Sequence, residues 1–158
     1  MDSGATNDAL AVEVRGLVKR FGAVVALDGL DLTVPRGAFF GLLGPNGAGK
    51  TTTVNVLTTL ARPTSGSARV LGRDVVAERD GVRRDVGLVF QDSTLDPDLT
   101  AREHLDLQAR LYHLEGRRQR VGEMLELVGL EGHADRPSRQ LSGGMRRRLE
   151  IARGLTHR

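Results

Sequence analysis

Apolar and polar positions alternate from Leu10 to Arg15, which predicts a half-buried strand. Two further extended segments, Val24 to Leu27 and Leu30 to Val34, flank the pair Asp28-Gly29, a strong turn signal. Together these predict a small antiparallel sheet. Ala38 to Leu43 is apolar at almost every position, the pattern of a strand buried on both faces. A glycine-rich loop follows it directly. Thr51 to Leu60 then reads as a helix, ended by Arg62-Pro63-Thr64-Ser65-Gly66. Ser67 to Leu71 predicts a short strand, and Val86 to Phe90 a second continuous apolar one. From Thr100 the pattern becomes helical. Thr100 and Glu103 form a capping box, and Leu107, Leu111 and Leu114 share a face. Arg117 to Val128 gathers Val121, Met124, Leu125 and Val128 on one side and is stopped by Gly129. A basic helix runs from Leu141-Ser142-Gly143-Gly144-Met145 to the end.

Composition adds little to this picture and excludes a good deal. The 158 residues, 39% hydrophobic and 27% charged, suit one soluble globular domain. There is no cysteine, hence no disulfide framework and no thiolate zinc site. No apolar run approaches the roughly 18 residues that span a bilayer, and the first nine residues do not read as a signal peptide. These features point to a cytoplasmic protein. The net charge of +3 is well mixed along the chain. Arg146-Arg147-Arg148 is the densest basic cluster. Without interleaved aromatic residues it reads as a solvated helix face rather than a nucleic-acid patch, so no nucleic-acid partner is expected. His104, His113, His133 and His157 show no metal-ligand spacing.

The loop from Gly44 to Thr51 has the spacing G-x-x-x-x-G-K-[ST]. Its glycines let successive N–H groups point inward at phosphate oxygens, and the following helix adds its positive end. Lys50 is suited to reach the β- and γ-phosphates, and the hydroxyl of Thr51 to ligate Mg²⁺. A plainer reading is a strand-to-helix turn with an incidental lysine. Of 23 basic residues, however, only Lys19 and Lys50 are lysine. A compact ammonium fits between phosphates where a planar guanidinium does not.

The signature-like stretch Leu141-Ser142-Gly143-Gly144-Met145, leading into Arg146-Arg147-Arg148-Leu149-Glu150-Ile151-Ala152-Arg153, resembles that of ATP-binding cassette (ABC) ATPases, which reads LSGGQ. Phe21-Gly22 with Ala26-Leu27 resembles the family's adenine-contacting segment. Pro63-Thr64-Ser65-Gly66 resembles its turn after the first helix, and Gly87-Leu88-Val89-Phe90-Gln91 its Q-loop. The resemblance implies an α/β fold: a P-loop NTPase (RecA-like) core with an N-terminal antiparallel β subdomain and an inserted α-helical subdomain, the C-terminal part of the core missing. It divides the chain into a disordered tail (1–9), an ATP-binding core (10–99), a helical subdomain (100–141) and the signature helix (142–158).

The same resemblance assigns roles. Phe21 would stack on adenine, or else is an ordinary core phenylalanine. Gly44, Pro45, Asn46, Gly47, Ala48, Gly49, Lys50, Thr51 and Thr52 would hold the phosphates of ATP. Lys50 and Gln91 are the catalytic candidates, and Thr51 and Gln91 the Mg²⁺ candidates; Gln91 also reads as a plain polar residue at a strand end. Ser142, Gly143, Gly144 and Met145 would form a second anion site, or else an ordinary serine cap with flexible glycines. Met145 departs from the usual glutamine. With Leu95-Asp96 and Leu99-Thr100-Ala101-Arg102-Glu103, it resembles the drug-resistance and multidrug-exporter subclass.

The implied partners are a second cassette, packed head to tail with ATP between loop and signature, and a membrane permease. The implied place is the inner face of the cell membrane, as a peripheral cytoplasmic subunit. The alternatives are a soluble ABC ATPase of the repair or chromosome type and a non-catalytic nucleotide-binding fragment. No segment matches the family's Walker B aspartate, catalytic glutamate, D-loop or switch histidine. The 158-residue polypeptide is therefore expected to hydrolyse ATP negligibly alone, to expose apolar surface at Ala38 to Leu43, and to aggregate.

Overall fold

The structure is a computed structural model that describes residues 9–157; the tail expectation for residues 1–9 falls almost wholly outside them. The chain forms two compact units, one ending at Asp85 and the other beginning at Val86.

The first unit is built on a four-stranded antiparallel sheet. Strands β1 (Leu10–Phe21), β2 (Val24–Pro35), β3 (Ser65–Val70) and β4 (Arg73–Asp74) lie in the order β2-β1-β3-β4. The hairpin turn is Gly22-Ala23, bracketed by the pair Phe21↔Val24. Asp28-Gly29 is thus not the turn the sequence suggests but lies inside a continuous β2. It forms a bulge, with two residues of β2, Asp28 and Gly29, opposite the single Val18 of β1 between the pairs Lys19↔Leu27 and Leu17↔Leu30. Gly29 has φ 73° there, which a turn and a glycine bulge both accept, so the dipeptide alone does not discriminate. Gly16 (φ 53°) makes a second bulge on β1. Its extra residue shifts the alternation so that Val14 and Leu17, three apart, both enter the core.

Helix α1 (Lys50–Leu57) packs its Thr53 and Val56 inward and ends earlier than the apolar pattern suggests. Thr59 turns the chain with φ 63°. Its buried hydroxyl accepts from Arg83 Nε (2.8 Å), and its carbonyl accepts from Arg79 Nη2 (3.1 Å). Both arginines belong to α2 (Arg79–Asp85), so cations sit at the negative end of α1. Val82 is the sole buried large apolar side chain of α2, which leaves the sequence no helical periodicity to show.

The expected strands at 38–43 and 86–90 have no partner among the described residues. Phe39 is fully exposed, and Leu43 (92%) and Phe40 (49%) are largely so. The expectation that 38–43 reads as a strand buried on both faces is therefore not met, whereas the apolar exposure expected at Ala38 to Leu43 is seen. A strand is completed by neighbours that bond its N–H and C=O groups, and no described segment supplies them.

The second unit is helical: α3 (Ala101–Leu111), α4 (Arg117–Leu127) and α5 (Gly143–Leu155), with 3-10 turns at Glu131–His133 and Ser138–Gln140. Thr100 and Glu103 close the capping box in both directions. Gly129 follows α4 at φ 61°. Ala101, Leu105, Val121, Met124, Leu125, Leu130, Leu141, Leu149 and Ala152 pack as one core. Among the described residues no helix is long and apolar enough to cross a membrane.

Candidate functional site

Glycine backbone geometry shapes the loop ahead of α1. Gly47 and Gly49 adopt φ 84° and 83°, a region that side chains disfavour. Gly49 also leans on β2: a Cβ there would lie 2.5 Å from Leu27 Cδ2 and 2.7 Å from the Ala26 carbonyl. The loop's last glycine thus has two independent reasons to be glycine, and the Ala26-Leu27 segment that the sequence grouped with Phe21 is what it packs against. Asn46 and Gly47 form the turn, and the Ala48 N–H bonds the Pro45 carbonyl (3.2 Å).

The Lys50 ammonium folds back into this curl, donating to the carbonyls of Gly44 (2.6 Å) and Pro45 (2.7 Å). The first intrahelical N–H bond of α1 comes from Thr53, to Gly49. The N–H groups of Lys50, Thr51 and Thr52 precede it, and neither a side-chain cap nor an acidic residue occupies the first turn. The segment thus combines an uncapped helix start, a lysine ammonium and the positive end of a helix, a set suited to a polyanion. Thr51 is exposed and Thr52 half-buried.

Phe21 ends β1 beside the hairpin turn, 54% exposed, with Lys19 Nζ 4.6 Å from its ring centroid. The core reading of Phe21 is not met, because it stands out of the sheet. The ammonium is fixed over the ring by a bond to the Arg62 carbonyl (2.8 Å), which gives an aromatic surface with a cation against it.

In the second unit, α5 opens differently. Ser142 is the cap, its hydroxyl accepting from the Met145 N–H at 3.2 Å. Gly143 and Gly144 are exposed, and a Cβ on either would meet nothing within 4 Å. Met145 is half-buried against the helical core, where a glutamine would bring a polar group. Each guanidinium of the triple-arginine run is committed to a carbonyl of its own unit. Arg146 reaches Leu141, Arg147 reaches Phe90, and Arg148 reaches Val128 at the end of α4.

Gln91 is exposed and follows the stretch 86–90, which forms neither helix nor strand. The chain around it is tied to α5 by residues the sequence did not single out. Glu150, 7% exposed, accepts from the Thr94 N–H (3.2 Å) and from Arg147 (3.1 Å). Arg153 donates to the Thr94 carbonyl (3.2 Å). Burial pushes the Glu150 carboxyl up, but bonds from Ser93, Arg147 and Thr94 outweigh it and hold the group below its ordinary range. Spacing within one helix carries no signal for this, since a charge on α5 reads as a solvated position.

The relatives of this chain lie in the family that its motifs resemble. The family described as ABC transporter matches residues 27–158. The daunorubicin resistance ATP-binding protein DrrA3 of Streptomyces coeruleorubidus is 51% identical over 147 residues, covering 92% of this chain and 46% of that protein. Nod factor export ATP-binding protein I of Ralstonia nicotianae is 45% identical over 146 residues, covering 91% and 46%. The chain thus spans about half the length of the curated relatives it matches. Among solved structures, cbiO1 from Clostridium perfringens, part of the ABC transporter complex cbiONQ, superposes with a TM-score of 0.83 at 27% identity, over 94% of this chain and 62% of that one. With its glycine-built loop and α/β architecture of the P-loop NTPase kind, the chain belongs to the ABC transporter family of ATP-binding proteins.

Proposed function

We propose that this chain binds ATP through the loop 44–51 and serves as the nucleotide-binding part of an export ATPase. The observation that carries the reading is the loop itself, with αL glycines at 47 and 49, an uncapped helix start behind them and the Lys50 ammonium folded back onto the Gly44 and Pro45 carbonyls. A triphosphate fits these donors in number and sign. On its arrival Lys50 would exchange the Gly44 and Pro45 carbonyls for phosphate oxygens. Phe21 would offer its ring to adenine, with Lys19 on the same ring.

Mg²⁺, bound together with the nucleotide, would neutralise charge on the β- and γ-phosphates. Thr51 supplies one hydroxyl ligand for it. Gln91 is the other candidate ligand, and among the described residues no cluster of three or more acidic or histidine side chains could hold a metal ion. Gln91 would orient the attacking water with its amide. Ser142, Gly143 and Gly144 would contact the nucleotide of a second cassette, placing each ATP between two chains. A head-to-tail dimer of this kind associates with ATP and opens on hydrolysis. Hydrolysis would be coupled to transport through a separate membrane permease at the inner face of the membrane.

The cargo proposed is a drug-like or hydrophobic compound, on the strength of 51% identity to a daunorubicin resistance protein and of Met145 in the signature. Binding of labelled ATP by the purified chain, with and without Lys50→Ala, tests the nucleotide site. Equal affinity in the two proteins would exclude it. ATP-dependent uptake of an anthracycline into inverted vesicles holding the protein and its permease tests the cargo, and vesicles that accumulate nothing above the ATP-free control would exclude that.

A further inference from the structure

We infer that Glu150 is a positioning residue: the signature helix holds the Gln91 segment in place through a polar seam centred on its carboxylate. Three side chains of α5 make the seam, Arg147, Glu150 and Arg153, spaced i, i+3, i+6 so that they follow one side of the helix. Along that side runs the stretch from Gly87 to Thr94, which has no helix or strand of its own to satisfy its backbone. Contact begins at Gly87, where a Cβ would lie 2.2 Å from the Gly154 carbonyl, so the two backbones touch. It continues at Phe90, whose carbonyl accepts from Arg147. It closes at Thr94, whose N–H goes to Glu150 (3.2 Å) while its carbonyl and hydroxyl take Arg153 (3.2 and 3.4 Å).

Gln91 and Asp92 are therefore an exposed span fixed on both sides, at Phe90 and at Thr94. Glu150 is the one member of the seam that bonds both anchors, Thr94 directly and Phe90 through Arg147. A carboxylate this buried is tolerated because donors surround it, and its loss removes the acceptor of the Thr94 N–H and one of the two acceptors of the Arg147 guanidinium. The start of α5 carries Ser142 to Gly144, the proposed contact for a second cassette's nucleotide. A displacement of that helix is transmitted to Gln91 by three side chains rather than through a flexible loop. This consequence rests on the reading of Gln91 given above; the seam itself does not.

Two measurements on the intact protein separate them. The first is amide hydrogen exchange of peptides covering residues 88–95, in wild type, Glu150→Ala, Glu150→Gln and Arg153→Met. The seam requires exchange in that span to rise about tenfold or more in Glu150→Ala, and less in Glu150→Gln, which keeps one acceptor oxygen, while peptides of α3 and α4 stay at wild-type rates. If Glu150→Ala does not fold, the other two variants carry the same expectation at smaller size. Wild-type exchange in the span for every folded variant, or an equal rise throughout the unit, overturns the inference. The second measurement is steady-state ATP hydrolysis, where positioning predicts that kcat falls about tenfold with KM for ATP within about twofold of wild type. Unchanged kcat despite a loosened span overturns the positioning role, whereas a wild type that neither binds nor hydrolyses ATP overturns the reading of the site and leaves the exchange result to decide the seam.

Discussion

The two glycine-led helix starts, at Gly49 before α1 and at Ser142 before α5, look alike in the sequence and are built on different physics. At α1 the glycines are a steric necessity: Gly49 has φ 83° and no room for a Cβ beside Ala26 and Leu27. No side chain caps the helix, so its first N–H groups stay available. At α5 the glycines are open on every side, and one first-turn donor, Met145, is already taken by the Ser142 hydroxyl. The first is a cradle made by the backbone. The second is a conventional capped helix that happens to present two bare residues. Among the described residues no bond takes the N–H groups of Lys50, Thr51 and Thr52, which leaves that helix start the more open to an outside ligand.

The sharpest break of this comparison is Gly49→Ala. With a disfavoured φ and a backbone oxygen in the way, it should lower unfolding free energy by about 2–4 kcal/mol, read from the denaturation midpoint of the first unit. A loss below about 1 kcal/mol would mean the loop relaxes freely. Next comes Lys50→Ala, which removes the ammonium without disturbing the sheet. ATP affinity should fall on the order of 10- to 100-fold, while the midpoint stays near wild type. Ser142→Ala should cost about 1 kcal/mol of stability in the second unit, the usual worth of a helix cap, and should weaken ATP binding to the isolated chain far less than the lysine change does.

A pH effect distinguishes the units further. His104 is 4% exposed; burial pushes its imidazole below the ordinary value. The Asp96 carbonyl bonded to Nε2 (3.0 Å) and the charges of Asp96 and Glu103 pull it up, while Arg153 pushes it down, and the net shift is downward. As pH falls through about 6.5 the unfolded chain gains a proton that the folded one refuses. Stability of the second unit should therefore drop with falling pH until the folded imidazole titrates, and His104→Gln should abolish that slope in a series of thermal melts. The smallest expected effect is Gly144→Ala. With open space and a helical backbone, it should raise stability by up to about 1 kcal/mol, opposite in sign to Gly49→Ala. Destabilisation in both variants would show that the two helix starts are not different after all.

How much of this was legible beforehand depended on distance along the chain. The capping box at Thr100 and Glu103, the stop at Gly129 and the cap at Ser142 are settled within a few residues, and they stand in the structure as the sequence implies. Asp28-Gly29 misled because its local chemistry suits a turn and a bulge equally; the partner register on β1 decides between them. Helix α2 was missed because its main work is polar, with Arg79 and Arg83 reaching back to Thr59, twenty or more positions upstream. The segments at 38–43 and 86–90 read as strands from apolarity alone, and apolarity cannot supply hydrogen-bonding neighbours.

By itself the sequence determined the family and the two glycine-led helix starts, since these are spacings of a few residues whose backbone conformation follows from glycine, lysine and serine at fixed offsets. Only the tertiary structure decided why Gly49 must be glycine, that Phe21 stands exposed beside an ammonium, that Met145 turns inward, and that Glu150 holds the chain on both sides of Gln91. Each of those rests on a contact between residues distant in sequence, and such a contact is fixed by packing rather than by the local chain.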